Sequence, residues 1–311
     1  MIFAVIDLGT NTFNLLIAER LPNCTFRKIF NTKIAVKLGQ GTINSGYIAD
    51  APFQRGINAL KQYQQYILDH NVEHTYAFAT SAIRSASNGN EFVMQAKKIA
   101  GITITVIDGN EEADLIYHGN RMAVNMTNDI SLIMDIGGGS TEFILANKET
   151  VFWKHSYLLG AARLLEKFKL SDPITNHETV DFKDYLKHEL DSLFKAIESY
   201  PPIELIGSSG AFDSVVDIIA GKFNTSEIND IQTEYHINLN HYFEISDMIK
   251  KSTLKERFHI NGLIDMRVDM IVISFLLIDF VLNELKLNKM RVSTFSLKEG
   301  VISTKLGLTL S

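Results

Sequence analysis

The chain has 311 residues, which is long enough for two domains with cores of their own. It is 46% hydrophobic and 21% charged, as in ordinary globular proteins, and its net charge of −6 argues against a general nucleic-acid binder, whose surface is normally basic. The single cysteine, Cys24, excludes intramolecular disulfides and multi-thiolate zinc sites, so a reducing cytoplasm is the expected location.

No segment is predicted to enter a membrane. The N-terminal apolar run is short, lacks a basic leader and breaks at Asp7, unlike a signal peptide. Residues 270–282 form a second apolar run, which is shorter than the roughly 20 residues of a membrane span and contains Asp279. We therefore expect a buried helix there.

The chain opens with a strand, an acidic turn and a second strand. Residues 2–6 are apolar and rich in β-branched side chains, and residues 13–18 are a second strand-like run, which predicts a β-hairpin. The segment between them reads Asp7, Leu8, Gly9, Thr10, Asn11 and Thr12. The glycine-rich segment 39–46 that follows fails the dinucleotide fingerprint because Asn44 replaces the third glycine, so it is predicted to be a loop.

Two later strands end in polar residues. The strand at 76–79 leads into Thr80, Ser81 and then Arg84, whose planar guanidinium matches phosphate oxygens; a solvated arginine after a capped helix start explains the pattern equally well. The strand at 103–107 leads into Glu111 and Glu112 in the first turn of a helix. Such acids are commonly mere partners of the helix dipole, but they are also well placed for base catalysis.

The opening hairpin recurs in the second half of the chain. Strands are predicted around 131–134 and 143–146, and the segment between them runs from Asp135 to Glu142 through Gly137, Gly138, Gly139, Ser140 and Thr141. Glycines allow a ligand to approach the backbone, whose free N–H groups bind anions, and Mg²⁺ prefers hard oxygen ligands such as the flanking carboxylates. A hairpin repeated over this distance predicts two similar domains that face one cleft.

The remaining elements complete an α/β pattern. Residues 178–199 are predicted to be helical, 223–245 to be irregular, and Ser246 to cap a following helix. A third strand-to-helix turn contains Gly207, Ser208, Ser209 and Gly210, whose small side chains allow a phosphate or a nucleoside to approach the helix N-terminus.

These motifs together resemble the actin-like ATPase superfamily and, within it, the exopolyphosphatase/guanosine-pentaphosphatase family. The matching runs are 7–14, 39–46, 80–88, 109–117, 135–142, 207–211 and 297–300. The resemblance implies two ribonuclease-H-like domains, at 1–125 and 126–311, with the active site between them and the tail from about 299 packing back onto the first. It also implies Mg²⁺-dependent (or other divalent-cation-dependent) release of terminal phosphate from inorganic polyphosphate or guanosine pentaphosphate.

The resemblance assigns roles to several matching positions, and the motifs themselves suggest the others. Glu112 corresponds to the catalytic glutamate that acts as general base, with Glu111 as the less favoured candidate and Arg84 as a phosphate contact. The expected metal ligands are Asp7, Asp135 and Glu142. The expected phosphate-binding residues are Asp7, Gly9, Thr10, Asn11, Thr12, Ser81, Gly137, Gly138, Gly139, Ser140, Thr141, Ser208 and Ser209.

Three departures from the family pattern occur, at Ser85, at Ser208-Ser209 and at Phe295-Ser296, and none removes a residue assigned to the chemistry.

A kinase of the same superfamily and a non-catalytic regulator that binds guanosine pentaphosphate or tetraphosphate remain as alternative functions. A P-loop NTPase is excluded because no GxxxxGK[ST] motif occurs. No nucleic-acid or membrane partner is expected. The sequence leaves open the choice between polyphosphate and guanosine pentaphosphate, and it leaves a homodimer open.

Overall fold

The computed structural model describes residues 1–22, 24–224 and 232–307, which form two units that are each built on one sheet. The strands are β1 (Ile2–Leu8), β2 (Thr12–Arg20), β3 (Phe26–Ala35), β4 (His74–Ala79), β5 (Ile104–Val106), β6 (Ser131–Ile136), β7 (Thr141–Ala146), β8 (Val151–Tyr157), β9 (Leu205–Ser208), β10 (Glu234–Ile237) and β11 (Met290–Ser293). The first sheet has the order β3-β2-β1-β4-β5, and the second has the order β10-β11-β9-β6-β7-β8.

Helices cover both faces of the sheets. They are α1 (Asp50–Asp69), α2 (Ser81–Ser85), α3 (Gly89–Ala100), α4 (Gly109–Ala123), α5 (Ala161–Phe168), α6 (Asn176–Glu189), α7 (Asp191–Ser199), α8 (Gly210–Phe223), α9 (Leu239–Lys251), α10 (Leu254–Arg257), α11 (Ile271–Glu284) and α12 (Leu297–Leu306). The predicted α/β class with two sheets is confirmed.

The two predicted hairpins are the antiparallel pairs β1–β2 and β6–β7. Their registers place Asp7 opposite Asn14 and Asp135 opposite Glu142. In each sheet the first strand of the hairpin also pairs in parallel with a later strand, β4 in one and β9 in the other. Carboxyl ends of parallel strands meet at one edge of a sheet. Each hairpin turn therefore lies at the same edge as the residue that follows the parallel strand, near Ser81 in the first sheet and Ser209 in the second.

A layer of two helices separates the sheets. Apolar side chains of α4 and α12 pack together with residues of β1 and β6, such as Val5 and Ile133. The helices touch through glycines, because a Cβ atom on Gly119 would collide with the carbonyl of Ser296 and one on Gly300 with the carbonyl of Leu115. The last helix thus packs on α4, whereas a domain boundary at 125/126 stays a prediction.

The prediction of an irregular segment up to residue 245 was wrong. Helix α9 begins at Leu239, after strand β10, and its cap is Asn238, whose side chain accepts from the amides of Asn240 and His241. Ser246 is no cap; it is buried inside α9, where its hydroxyl donates to the carboxylate of Asp279. A polar contact between distant helices leaves no local sequence signal. Part of the segment, residues 225–231, lies outside the described residues.

The long predicted helix at 178–199 is two helices, α6 and α7, which divide at Leu190. The apolar run at 270–282 forms the buried helix α11, as expected, with all of residues 271–282 buried. Among the helices of the described residues, none is both long enough and apolar enough to cross a membrane.

Candidate active site

The first turn, residues 9–11, is held from behind by the backbone of its own unit. The amides of Val36 and Lys37 each donate to the carbonyl of Asn11 at 2.9 Å, and the amide of Leu38 donates to the carbonyl of Thr10 at 2.7 Å. Because the carbonyls of the turn are used on this side, its other face is free to meet a ligand.

The glycine turn, residues 137–140, is held by the start of α5. The three glycine carbonyls accept hydrogen bonds, at 2.9 Å each, from the Ala161 amide, the Ala162 amide and the Arg163 Nε atom. In the described part of the chain, the amides of Gly138 and Gly139 find no backbone acceptor. Free adjacent amides in a turn form an anion-binding concavity.

The opposite unit approaches the glycine turn closely. A Cβ atom on Gly138 would lie 2.4 Å from Nδ2 of Asn11, and one on Gly139 would lie 2.6 Å from the hydroxyl oxygens of both Thr10 and Ser81. Neither glycine has a positive φ, so glycine is required here for the close approach and not for the turn conformation. The Thr10 and Ser81 hydroxyls are buried and have no hydrogen-bond partner within the described residues, which makes them available donors for an anion.

A cavity of about 230 Å³ lies between the two turns. Most of the residues predicted for the site line it. They are Asp7, Gly9, Thr10, Asn11, Thr12, Ser81, Glu112, Asp135, Gly137, Gly138, Gly139, Ser140 and Ser209.

Five predicted residues do not line the cavity, and three of them point elsewhere. Glu111 is exposed at the start of α4 and does not line the cavity. The hydroxyl of Thr141 is buried and donates to the carbonyl of Leu159 at 2.9 Å. The hydroxyl of Ser208 donates to Oδ2 of Asp135 at 2.7 Å, so Ser208 orients an acid of the site from behind.

Glu112 is buried at the first turn of α4, where the side chain of Asp108 caps the helix. Burial raises its pKa to about 7, against the opposing effect of Arg84. Nη1 of Arg84 lies 2.7 Å from Oε2 of Glu112 and also donates to the carbonyl of Ile107 at 3.0 Å. Arg84 does not line the cavity, so in this structure it orients the glutamate rather than a phosphate. A carboxylate with a pKa near neutrality is suited to general base catalysis.

Of the remaining three acids, two line the cavity and one lies outside its wall. Asp7 and Asp135 line the cavity, and burial raises the pKa of both, that of Asp7 to about 6. Asn14 donates to Asp7 at 3.0 Å, and Ser296 donates to Asp135 at 2.5 Å. Glu142 lies behind the cavity wall.

The Glu142 carboxyl group accepts from the Ser156 hydroxyl at 2.6 Å. Burial, together with the nearby Glu112 and Asp135, raises its pKa well above the ordinary range. Among the described residues, no group of three or more His, Cys, Asp or Glu side chains is close enough to hold a metal, so Asp7, Asp135 and Glu142 do not form a three-carboxylate site. Asp7 and Asp135 nevertheless fit Mg²⁺, which usually binds one or two carboxylates together with phosphate oxygens and water.

Lys298 is a cavity residue to which sequence reasoning gave no role. It follows the α12 cap, and burial opposes its charge, but the carboxylates of Glu299, Asp7, Asp213 and Asp135 outweigh burial and raise its pKa. The lysine therefore stays cationic among the acids. The run at 297–300 was recognised as a motif, yet the electrostatic interaction between Lys298 and Asp7 depends on the return of α12 to the first unit.

Two further cations were also missed. Arg267 and Lys33 line the cavity from opposite units, and Nη2 of Arg267 lies 3.0 Å from Oδ2 of Asp213. Neither belongs to a local motif.

Ser209, at the sequence departure in the third turn, has a φ of 72°, a region that favours glycine.

Comparison with known proteins decides the family. The pattern that defines the Ppx/GppA phosphatase family matches residues 16–308. The chain belongs to the Ppx/GppA phosphatase family. The crystal structure of an exopolyphosphatase from Cytophaga hutchinsonii superposes with a TM-score of 0.96 at 39% identity, covering 99% of this chain and 98% of that one. The predicted actin-like architecture of Ppx/GppA proteins is thereby confirmed.

Two curated proteins are similar to most of this chain. A bifunctional 3-dehydroquinate synthase/phosphatase of Fusobacterium nucleatum is 32% identical over 284 residues, which are 86% of this chain. The match spans only 41% of that longer protein. A putative exopolyphosphatase of Haemophilus influenzae is 27% identical over 304 residues, covering 96% of this chain and 90% of that protein.

Proposed function

We propose that this Ppx/GppA phosphatase is an exopolyphosphatase, which hydrolyses the terminal phosphoanhydride bond of inorganic polyphosphate. The observation that carries the proposal is that a buried glutamate with a raised pKa, Glu112, shares one cavity with two turns that present unpaired amides and hydroxyls. The similar proteins from Cytophaga hutchinsonii, described as an exopolyphosphatase, and from Haemophilus influenzae, described as a putative exopolyphosphatase, support the choice of substrate.

In the proposed mechanism, water attacks the terminal phosphorus atom in line with the leaving phosphate oxygen. Glu112 orients this water and accepts its proton, while Arg84 fixes the position of the carboxylate. The amides of the glycine turn and the hydroxyls of Thr10 and Ser81 bind phosphate oxygens. Phosphoryl transfer depends mainly on such positioning and on charge neutralisation.

Asp7 and Asp135 would hold Mg²⁺, which neutralises charge on the phosphates when it is bound. Lys298 adds a fixed positive charge beside the same carboxylates. Each unit thus contributes one acid and one phosphate-binding turn.

Guanosine pentaphosphate is the second candidate substrate, since it ends in the same phosphoanhydride. Its nucleoside would need an apolar surface beyond the phosphates, and Met266, Met270 and Ile271 line the cavity in the second unit. A kinase would require a second substrate as phosphate acceptor. A non-catalytic regulator is disfavoured by the buried Glu112 and by the family assignment.

The test is phosphate release from long-chain polyphosphate and from guanosine pentaphosphate, side by side, with Mg²⁺ and with a chelator. We expect Mg²⁺-dependent release from polyphosphate at the higher kcat/KM. Faster release from guanosine pentaphosphate would favour the second candidate, and binding without release from either would favour the regulator. Phosphate transfer only on addition of a small acceptor would indicate the kinase.

A further inference from the structure

The side chain of Arg163, in the first turn of α5, bridges the two units. Its Nε atom donates to the carbonyl of Gly139 at 2.9 Å, within the glycine turn. Its Nη1 atom donates to the carbonyl of Ile43 at 3.0 Å and lies 3.4 Å from Oδ1 of Asn44, both in the segment 39–46 of the other unit. One guanidinium group therefore holds a phosphate-binding turn and a loop of the opposite unit together.

Further contacts fix the same loop on α5. Nδ2 of Asn44 donates to the carbonyl of Arg163 at 3.1 Å, and the amide of Asn44 donates to Oε1 of Glu166 at 3.3 Å. Beside them, Lys37 and Asp269 form an ion pair of 2.7 Å across the units. The contact around Arg163 is thus a small interface and not an isolated hydrogen bond.

The segment 39–46 is continuous with the residues that support the first turn. Those are residues 36–38, whose amides donate to the carbonyls of Thr10 and Asn11. A physical connection therefore runs from the glycine turn through Arg163 to the first turn. The two turns are placed relative to each other by this connection as well as by their direct contact.

We propose that Arg163 is a positioning residue for the phosphate site. It holds the carbonyl of Gly139 away from the cavity, so that the amides of the glycine turn face the substrate, and it does so while the segment 39–46 lies against α5. The planar guanidinium suits this task because its donors point in fixed, diverging directions, which a lysine ammonium does not reproduce. Arg163 does not line the cavity itself. The proposed effect on catalysis rests on the phosphatase activity proposed above.

The kinetic test compares Arg163→Gln and Arg163→Lys with the wild-type chain on long-chain polyphosphate. We expect kcat/KM to fall by about 100-fold in both variants, since a small displacement of a positioning group has an effect of this order. Full activity of Arg163→Lys would overturn the proposal, because a single positive charge would then be sufficient to position the glycine turn.

Arg55 offers a matched control. Its guanidinium donates to Oε1 of Gln40 in the segment 39–46 at 2.8 Å and to the preceding carbonyls of Val36 and Lys37 at 3.0 and 3.3 Å. Among the described residues it makes no hydrogen bond to the glycine turn. Amide hydrogen exchange is the readout that does not depend on activity. In Arg163→Gln we expect faster exchange in both 137–141 and 42–46, whereas in Arg55→Gln it should be faster in 36–40 alone.

An unchanged glycine turn in Arg163→Gln, or a glycine turn that loosens equally in Arg55→Gln, would contradict the proposal. If Arg163→Gln fails to fold, Asn44→Ala removes contacts of the same interface from the other side and should also loosen 137–141; no change there would contradict it equally. Absence of phosphate release by the wild-type chain would refute the proposed function and not the positioning role, which the exchange experiment tests separately.

Discussion

The first turn (9–11) and the glycine turn (137–140) differ in what supports them. Backbone amides from residues 36–38 of the same unit hold the first turn. The glycine turn is held by three backbone amides of α5 and by one side chain, that of Arg163, which also reaches the other unit. Side-chain substitution can therefore disturb the glycine turn selectively, whereas the first turn is protected by its own chain topology.

The turns also differ in what they present to the cavity. The first turn supplies side chains, including the unpaired hydroxyl of Thr10. The glycine turn supplies backbone, because the approach of Asn11, Thr10 and Ser81 leaves no room for Cβ atoms on Gly138 and Gly139. The two hairpins share one sequence pattern, but one presents side chains and the other presents backbone. The close packing of the two turns requires both surfaces.

The most severe expected disruption of the glycine turn is Gly160→Ala. A Cβ atom at this position would lie 2.4 Å from backbone atoms of Gly138, Gly139 and Ser140, so the turn must move. We expect kcat/KM for polyphosphate to fall by about 100-fold or more, together with a destabilisation of about 1–3 kcal/mol from overpacking. Steady-state kinetics and urea denaturation measure the two effects. Wild-type kinetics in a folded variant would show that the position of the turn is unimportant.

Two buried threonines distinguish ligand binding from structural support. The hydroxyl of Thr10 has no partner among the described residues, whereas that of Thr141 donates to the carbonyl of Leu159. Thr10→Val should lower kcat/KM by about tenfold without loss of stability, because only a bond to the substrate is removed. Thr141→Val should lower the free energy of unfolding by about 1 kcal/mol and leave kcat/KM nearly unchanged. The reverse pattern would contradict the assignment of the first turn.

The pH dependence of activity should respond to substitutions in the first unit, which contains Glu112 and Arg84, and not to substitutions near the glycine turn. Burial raises the pKa of Glu112 to about 7, so the base is deprotonated, and activity increases, as the pH rises through about 7. Arg84 opposes this shift, so Arg84→Gln should raise the pKa further and move the profile to higher pH. Gly160→Ala should lower the rate without moving the profile. An unmoved profile in Arg84→Gln would argue against Glu112 as the titrating group.

Local sequence was sufficient to predict the hairpins, and most of the predicted site residues line the cavity. Alternating strands with an acid and glycines between them fix the positions of Asp7, Asp135 and the turns, because hairpin register is a short-range property. Lys298 and Arg163 were not predicted as site residues, since each acquires its role from an interaction with the other unit, electrostatic for Lys298 and a hydrogen bond for Arg163. Ser208 was expected to bind phosphate but donates to Asp135, a distinction of side-chain direction that sequence does not contain.

The central claim is that Glu112 is the general base between the two turns. The most direct measurement is phosphate release by Glu112→Gln, together with its binding of polyphosphate. We expect turnover to fall by about 10³-fold, within the range for loss of a general base, while binding and the melting temperature stay close to wild type. Near-normal turnover in this variant would contradict the account.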